Sequence, residues 1–213
     1  MVPDTVNIIV IGYTVSKIVS NLESSCIKSV IYNTNTPYML TYVNNLYSGM
    51  TLTDVWNYSI SNSPCEYICL LNSDTEVFPG WLPKILDTLK SDNTYGFVGP
   101  STDNCHSKQK SIPSYEQSKK FSNQVEVLDS PLSGFCLLFR KSLWSEIGGF
   151  DTRFPLYGQE SKFLDDAMNK GYKCVWRKDA FVHHVGEATM KAAGVDTKSE
   201  RKKATDLYWR LKR

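Results

Sequence analysis

Short apolar runs alternate with segments of helical period along the first half of the chain. Val6-Asn7-Ile8-Ile9-Val10-Ile11 has the near-continuous hydrophobicity of a strand buried on both faces. Residues 16–23 read as a helix behind it. Val30-Ile31-Tyr32 predicts a second strand, and Thr36 then caps a helix with Pro37 at its first position and Gly49 just past its end. Thr51-Leu52-Thr53-Asp54 has the form of a capping box, with Asp54 where Glu is usual, and opens a further helix. Residues 67–71 are the next buried strand. It runs into polar Asn72-Ser73-Asp74-Thr75-Glu76, and a helix over 80–86 follows Pro79. This alternation predicts an α/β fold: a mostly parallel central sheet with right-handed crossovers and helices on both faces.

The second half loses this regularity. Tyr95-Gly96-Phe97-Val98 reads as a strand, but residues 99–122 are polar without a period, which predicts a functional or disordered loop. An apolar strand over 134–139 precedes a short helix over 142–147 that Gly148-Gly149 ends. Phe163, Leu164, Ala167 and Met168 form a helical stripe closed by Gly171, and 172–176 and 181–183 are final short strands. Residues 198–213 carry seven Lys or Arg against two acids. Ala204, Leu207, Tyr208 and Leu211 recur there at helical spacing, so a basic amphipathic helix is expected to dock its apolar stripe on the rest. The economical division is one domain over 1–213. Its nucleotide-binding front is 1–100, its substrate-facing rear 101–190 and its basic helix 191–213. A chain stopping inside a helical pattern also fits one module of a longer protein.

Composition narrows the classes. A formal net charge of +2 over 213 residues gives no field that would gather nucleic acid. Met1-Val2-Pro3-Asp4-Thr5 lacks the basic start of a signal peptide, and no apolar run reaches transmembrane length. The six cysteines are scattered without a Cys-x-x-Cys pair, which suits reduced, mostly buried thiols in a cytosolic protein better than disulfides or a zinc site. The sequon Asn57-Tyr58-Ser59 would matter only after secretion.

Candidate chemistry begins at the end of the 67–71 strand. In an open α/β sheet the carboxyl ends of strands face the ligand crevice, where a carboxylate such as Asp74 can hold a hard cation against a diphosphate. Asp74 and Glu76 could equally be turn or cap residues.

Four segments in order resemble the family-2 glycosyltransferases of the GT-A fold. Residues 67–82 (YICLLNSDTEVFPGWL) are similar to that family's strand, Asp-x-Asp-type metal motif and following helix. Residues 134–151 (GFCLLFRKSLWSEIGGFD) resemble its strand, short helix and Gly-Gly-Phe-Asp turn. Residues 158–172 match the spacing of its Glu-Asp catalytic segment, and 180–186 (AFVHHVG) its closing strand with a metal-ligand His. The likeness runs from about Val6 to Gly186. A narrower resemblance is to glycosyltransferase domains encoded by chloroviruses; it implies a cytoplasmic protein, in a host's cytoplasm if the chain is viral. The departures are specific. Asn72-Ser73-Asp74 leaves Asp74 as the charged ligand, Gln159-Glu160 makes Glu160 the base, and Lys162 stands where a further acid is usual. The second-strand acid that reads the nucleobase is replaced by amides in Ile31-Tyr32-Asn33-Thr34-Asn35.

The resemblance implies inverting transfer from a nucleoside-diphosphate sugar, UDP-linked or alternatively dTDP-linked, to a carbohydrate or glycoconjugate hydroxyl. Asp74 and His184 would hold Mn²⁺, or Mg²⁺; the mixed oxygen and nitrogen set favours Mn²⁺. His183 would face the other side of its strand. Glu160 is the expected general base, with Asp151 as runner-up. Donor contacts are expected from Gly12, Tyr13 and Thr14 after the first strand, from Asn33 and Asn35, from Asn57, from Asn72 and Ser73 beside Asp74, and from Gly134 by backbone approach. Each amide could instead serve a turn or cap. The 99–122 segment with Trp144, Phe154 and Tyr157 supplies candidate acceptor walls. Asp165 and Asp166 read as surface acids. Two other classes compete: a sugar-phosphate nucleotidyltransferase, whose Gly-rich phosphate loop is not evident in Gly12-Tyr13-Thr14-Val15, and a catalytically silent nucleotide-sugar-binding module of a larger protein.

Overall fold

Eight strands form one mixed sheet in the computed structural model, which describes residues 2–212. Strand β1 (Val2–Gly12) lies parallel to both β2 (Tyr38–Asn44) and β3 (Cys65–Asn72). Antiparallel β7 (Cys136–Arg140) separates β3 from β5 (Tyr95–Ser101), and β8 (Lys173–His184) runs parallel to β5. Two short strands, β4 (Thr75–Val77) and β6 (Val125–Leu128), pair antiparallel with β8. The order is β2-β1-β3-β7-β5-β8-β4, and β1, β2, β3, β5 and β8 share one direction.

Helices cover both faces, because successive strand residues point to opposite sides. On one face α1 (Lys17–Asn33) and α3 (Trp81–Ser91) bury Cys26, Val30, Trp81, Ile85 and Leu89 against Ile8, Val10, Cys69 and Val98. On the other, α2 (Leu52–Ser61), α5 (Lys141–Ile147) and α6 (Gln159–Asn169) bury Trp56, Ile60, Leu143, Phe163 and Leu164 against Ile9, Ile68, Phe97 and Phe139. Each large side chain so buried stabilises the fold by about 1.5–3 kcal/mol. The capping box forms as expected: Asp54 N donates to Thr51 Oγ1 at 3.1 Å, and Thr51 N to Asp54 Oδ2 at 3.2 Å. The six cysteines are free and buried. Among the described residues no helix is long and apolar enough to cross a membrane.

Several predicted elements are corrected. Residues 30–32 are the end of α1, not a strand, with Ile31 and Tyr32 exposed. The inward stripe is Val19, Glu23, Cys26 and Val30, and the acid inside it hides the helical period. The helix expected over 36–49 is instead β2 and a 3-10 turn, Asn45–Tyr47. Tyr38-Met39-Leu40-Thr41-Tyr42-Val43 is rich in aromatic and β-branched residues and pairs along the edge of β1. The 99–122 stretch is not structureless. It completes β5, then builds a 3-10 turn (Lys108–Ser111), α4 (Tyr115–Ser118) and a second 3-10 turn (Lys119–Phe121). Gln109 fixes it from within, donating to Pro100 O and accepting from Ser133 N, both at 2.8 Å. The two final strands fuse into β8 because Arg177 and Asp179, which interrupt the apolar run, are buried as an ion pair. After α7 (Ala188–Ala192), α8 (Thr197–Leu211) forms the basic helix, of which Arg213 lies outside the described residues. Its Ala204, Leu207, Tyr208 and Leu211 are only half-buried.

Candidate active site

Strand β3 delivers Asn72 to the carboxyl edge of the sheet, Ser73 and Asp74 turn the chain, and β4 returns it alongside β8. The register sets Thr75 opposite His184, and Val185 N donates to Asp74 O at 3.0 Å. Asp74 is therefore 6% exposed, with Oδ1 3.4 Å from His184 Nε2 and Oδ2 accepting from Ala188 N at 3.3 Å. His184 Nδ1 lies 2.8 Å from Asn104 O. A carbonyl only accepts, so Nδ1 carries a hydrogen and Nε2 is the nitrogen turned to Asp74. The Asn72 amide is 3.5 Å from the same Nε2, and Phe135 stacks on the imidazole at 5.4 Å. Asp103 ties the strand end by accepting from His184 N at 3.1 Å while pairing with His183 Nδ1. His183 and exposed Glu76 face away from Asp74.

The pair is electrostatically self-consistent. Burial pushes the Asp74 carboxyl up, but the hydrogen bond and charge of His184, with help from Ala188 N–H, bring it below its ordinary range. Burial likewise pulls His184 down, and Asp74 outweighs it and raises it. A buried carboxylate beside an oriented imidazole nitrogen, itself hydrogen-bonded on its far side, is a donor set that fits Mn²⁺. Among the described residues no group of three or more His, Cys, Asp or Glu could enclose a metal alone. The oxygens of a diphosphate would have to complete the shell.

The loop after β1 is built around Glu23, 3% exposed. Its carboxylate accepts from Tyr13 N at 2.7 Å, Thr14 Oγ1 at 2.5 Å and Tyr42 Oη at 3.0 Å, while Asn44 Nδ2 donates to Thr14 Oγ1 at 3.0 Å. A Cβ on Gly12 would lie 2.5 Å from Tyr42 Oη, so only glycine leaves room for this cluster. Glu23, Tyr42 and Asn44 were not among the sequence candidates. An acid in the inward stripe of α1 was the available signal, and reading β2 as a helix concealed the other two.

Three expected donor contacts are displaced. Asn33 closes α1 and donates to Val77 O at 2.9 Å, with Asn35 exposed beyond it. Because α1 runs back across the sheet for about 25 Å, both lie by the amino end of β2, away from the crevice. The amides at the true carboxyl end of the second strand are Asn44 and Asn45. Asn57 is committed to the Gly-Gly-Phe turn: Nδ2 donates to Phe150 O at 2.8 Å, and Oδ1 accepts from Phe150 N at 2.9 Å and Trp144 Nε1 at 3.2 Å.

Glu160 stands in the first turn of α6, after Gly158 at φ 86°. Its side chain fills the space beside Gly134, where a Cβ would come within 2.8 Å of Glu160 Cγ. Gly134 thus makes room for Glu160. Burial pushes the Glu160 carboxyl above its ordinary range against the pull of its own backbone N–H and of Arg201, and Oε2 has no hydrogen-bond partner. Asp151 differs: Arg153 grips both its oxygens, at 2.6–3.1 Å, and holds it below the carboxylate range. Asp165 and Asp166 are not free surface acids; Lys212 pairs the first at 2.8 Å and Lys162 the second at 2.5 Å. Phe154 is fully buried and cannot wall an acceptor site, and Trp144 packs against the core. Beside His183, Phe78, Tyr115 and Phe181 form an open aromatic groove of about 330 Å³ with Asp103 and Glu116 at its rim. A smaller cleft, about 200 Å³, between Tyr95, Arg140 and Tyr172 holds none of these groups.

Residues 49–148 match the family model described as glycosyl transferase family 2. That span contains Asp74 and Gly134 and stops before Asp151, Glu160 and His184. A comparison with curated proteins returns no match. Among solved structures the chain is similar to the crystal structure of GalNAc-T7 with UDP, GalNAc and Mn²⁺, with a TM-score of 0.64 at 13% identity over 84% of this chain and 43% of that one. At such identity the likeness is one of fold, and the chain spans less than half of that relative. The architecture is of the GT-A type, and residues 49–148 are similar to the glycosyl transferase family 2 model.

Proposed function

We propose that this protein is an inverting, metal-dependent glycosyltransferase that moves a hexosyl or deoxyhexosyl group from a UDP-linked sugar to a hydroxyl of a glycan or glycoconjugate. One observation carries the reading. Asp74 and His184 converge at the carboxyl edge of the sheet, while Glu160 holds a buried Oε2 without a partner in its carboxyl beside Gly134. The similar structure holds UDP, GalNAc and Mn²⁺, which supports the same classes of ligand here.

Asp74 and His184 would hold the cation, with Asn72 and Ser73 beside them at the diphosphate. When bound, Mn²⁺ or Mg²⁺ supplies Lewis-acid stabilisation of the charge that grows on the departing diphosphate. Tyr13 and Thr14, braced by Glu23, floor the nucleoside side, and Tyr42 and Asn44 border it. Glu160 takes the proton of the acceptor hydroxyl as that oxygen attacks the anomeric carbon opposite the leaving group. A single displacement of this kind inverts the centre. Burial suits Glu160 to the task, since a carboxyl held above its ordinary range is a stronger base than Asp151, which Arg153 depresses. The aromatic groove by His183 offers flat faces for a sugar ring.

The test is release of nucleoside diphosphate from a panel of nucleotide sugars with Mn²⁺ and varied acceptors. Acceptor-dependent release that disappears in Glu160→Gln is the expected result. Metal-dependent binding without release from any donor would identify a silent binding module instead.

A further inference from the structure

Among the described residues, four buried side-chain polar atoms lack partners, and they gather in one place: Tyr157 Oη, Gln159 Oε1, Glu160 Oε2 and Arg201 Nε. Arg201 reaches in from α8 with its guanidinium 4.8 Å over the Tyr157 ring, and its Nη2 pairs with Glu187. Glu187 leads into α7 at a left-handed φ of 57°, directly before the Ala188 N–H that binds Asp74. We propose that Arg201 is a positioning residue for proton transfer by Glu160, its single positive charge divided between Glu160 and Glu187.

Three observations support this division. First, α8 contains no fully buried residue and docks through polar contacts, Arg201–Glu187 and Lys212–Asp165 among them, so Arg201 is not held inward by an apolar helix face. Second, the charged groups around Glu160 are few. Arg201 faces it from α8, and Glu187 meets both Arg201 and Tyr157 from the approach to α7. On α6 itself Lys162 is committed to Asp166, and the approach to β7 contributes Gly134, which has no side chain. Third, a buried carboxyl with one oxygen unpartnered is costly to ionise, and a nearby guanidinium offsets part of that cost. Glu187 competes for the same guanidinium. Removing Arg201 therefore leaves Glu160 uncompensated, whereas removing the Glu187 charge gives Glu160 more of Arg201.

The inference rests on the reading of Glu160 as the base, and the test separates the two. The titration of the Glu160 side-chain carboxyl is followed by carbon NMR in the full chain without donor, its signal assigned by loss in Glu160→Gln. The acid limb of the transfer rate is followed in parallel. Arg201→Gln should raise the midpoint of both, Glu187→Gln should lower both, and Arg201→Lys, which keeps the charge, should stay near the wild type. Opposite shifts from the two members of one ion pair are what a merely structural tie between α8 and α7 would not produce. Shifts in the same direction, or none in either variant, would overturn the proposal even with normal turnover. Opposite NMR shifts in a protein that transfers no sugar would instead refute the base reading.

Discussion

The Asp74–His184 pair and the Glu160 cluster are joined through Phe135, next to Gly134, and through Ala188, next to Glu187, but are built differently. Asp74 and His184 are placed by strand register, and each has partners on both sides: Ala188 N–H, Asn104 O, the Asp103 carboxylate and the Phe135 ring. Glu160, Tyr157 and Arg201 come from a helix start, a loop and a polar-docked helix, and each keeps a buried atom unbonded. The first arrangement is fully hydrogen-bonded and fits the cation role proposed for it. The second holds buried polar atoms without partners, at a cost in stability that the rest of the fold offsets.

The sharpest way to break this contrast is Glu160→Gln. Transfer should fall by about 10²–10⁴-fold while metal-dependent donor binding persists, as measured by initial rates and by calorimetry. The same variant should be more stable than the wild type near neutral pH. Burial raises the folded-state pKa of Glu160, so its contribution to stability is complete below the unfolded carboxylate value and is lost as pH rises through the folded value. Thermal melts should therefore show the variant's advantage near about pH 8 and its disappearance toward about pH 4.

Asp103→Ala probes the other region at a smaller scale. It removes the carboxylate that fixes both histidines, and Mn²⁺ affinity in the presence of UDP should weaken by about 10–100-fold with little change in melting temperature. An unchanged affinity would mean that the Asn104 carbonyl and Phe135 orient His184 by themselves. The mildest change is Lys212→Ala. It breaks a partly exposed pair with Asp165 and should lower the denaturant midpoint only slightly, and less in high salt.

How much was legible in the sequence follows the same divide. Strand β3, the Thr51 capping box, α5 with its Gly-Gly turn and α6 announce themselves by period and caps; Asp74 stands out at its strand end, while Glu160 and His184 enter through the family resemblance of their segments. Where polar residues work inside the core, the period breaks and local reading fails. Glu23 sits in the inward stripe of α1, which hid the last turns of that helix and made a strand of Val30-Ile31-Tyr32. That false second strand is what puts Asn33 and Asn35 at the crevice, while Pro37 and Gly49 suggest helix ends around what is β2. Asn57 shows a different limit. An amide that braces a turn 93 residues away in sequence looks no different from one that meets a nucleotide. The groups around Glu160 come from α6, α7 and α8 and meet only in three dimensions, so Arg201 and Glu187 carried no signal.

The account stands most directly on Asp74, whose turn at the end of β3 is read as the charged half of a cation site. Calorimetric titration of UDP into the protein, with and without Mn²⁺, measures that claim. The account predicts binding that requires Mn²⁺ in the wild type and is absent in Asp74→Ala, whose melting temperature stays near that of the wild type. UDP binding that needs no metal, or that survives intact in Asp74→Ala, would contradict it.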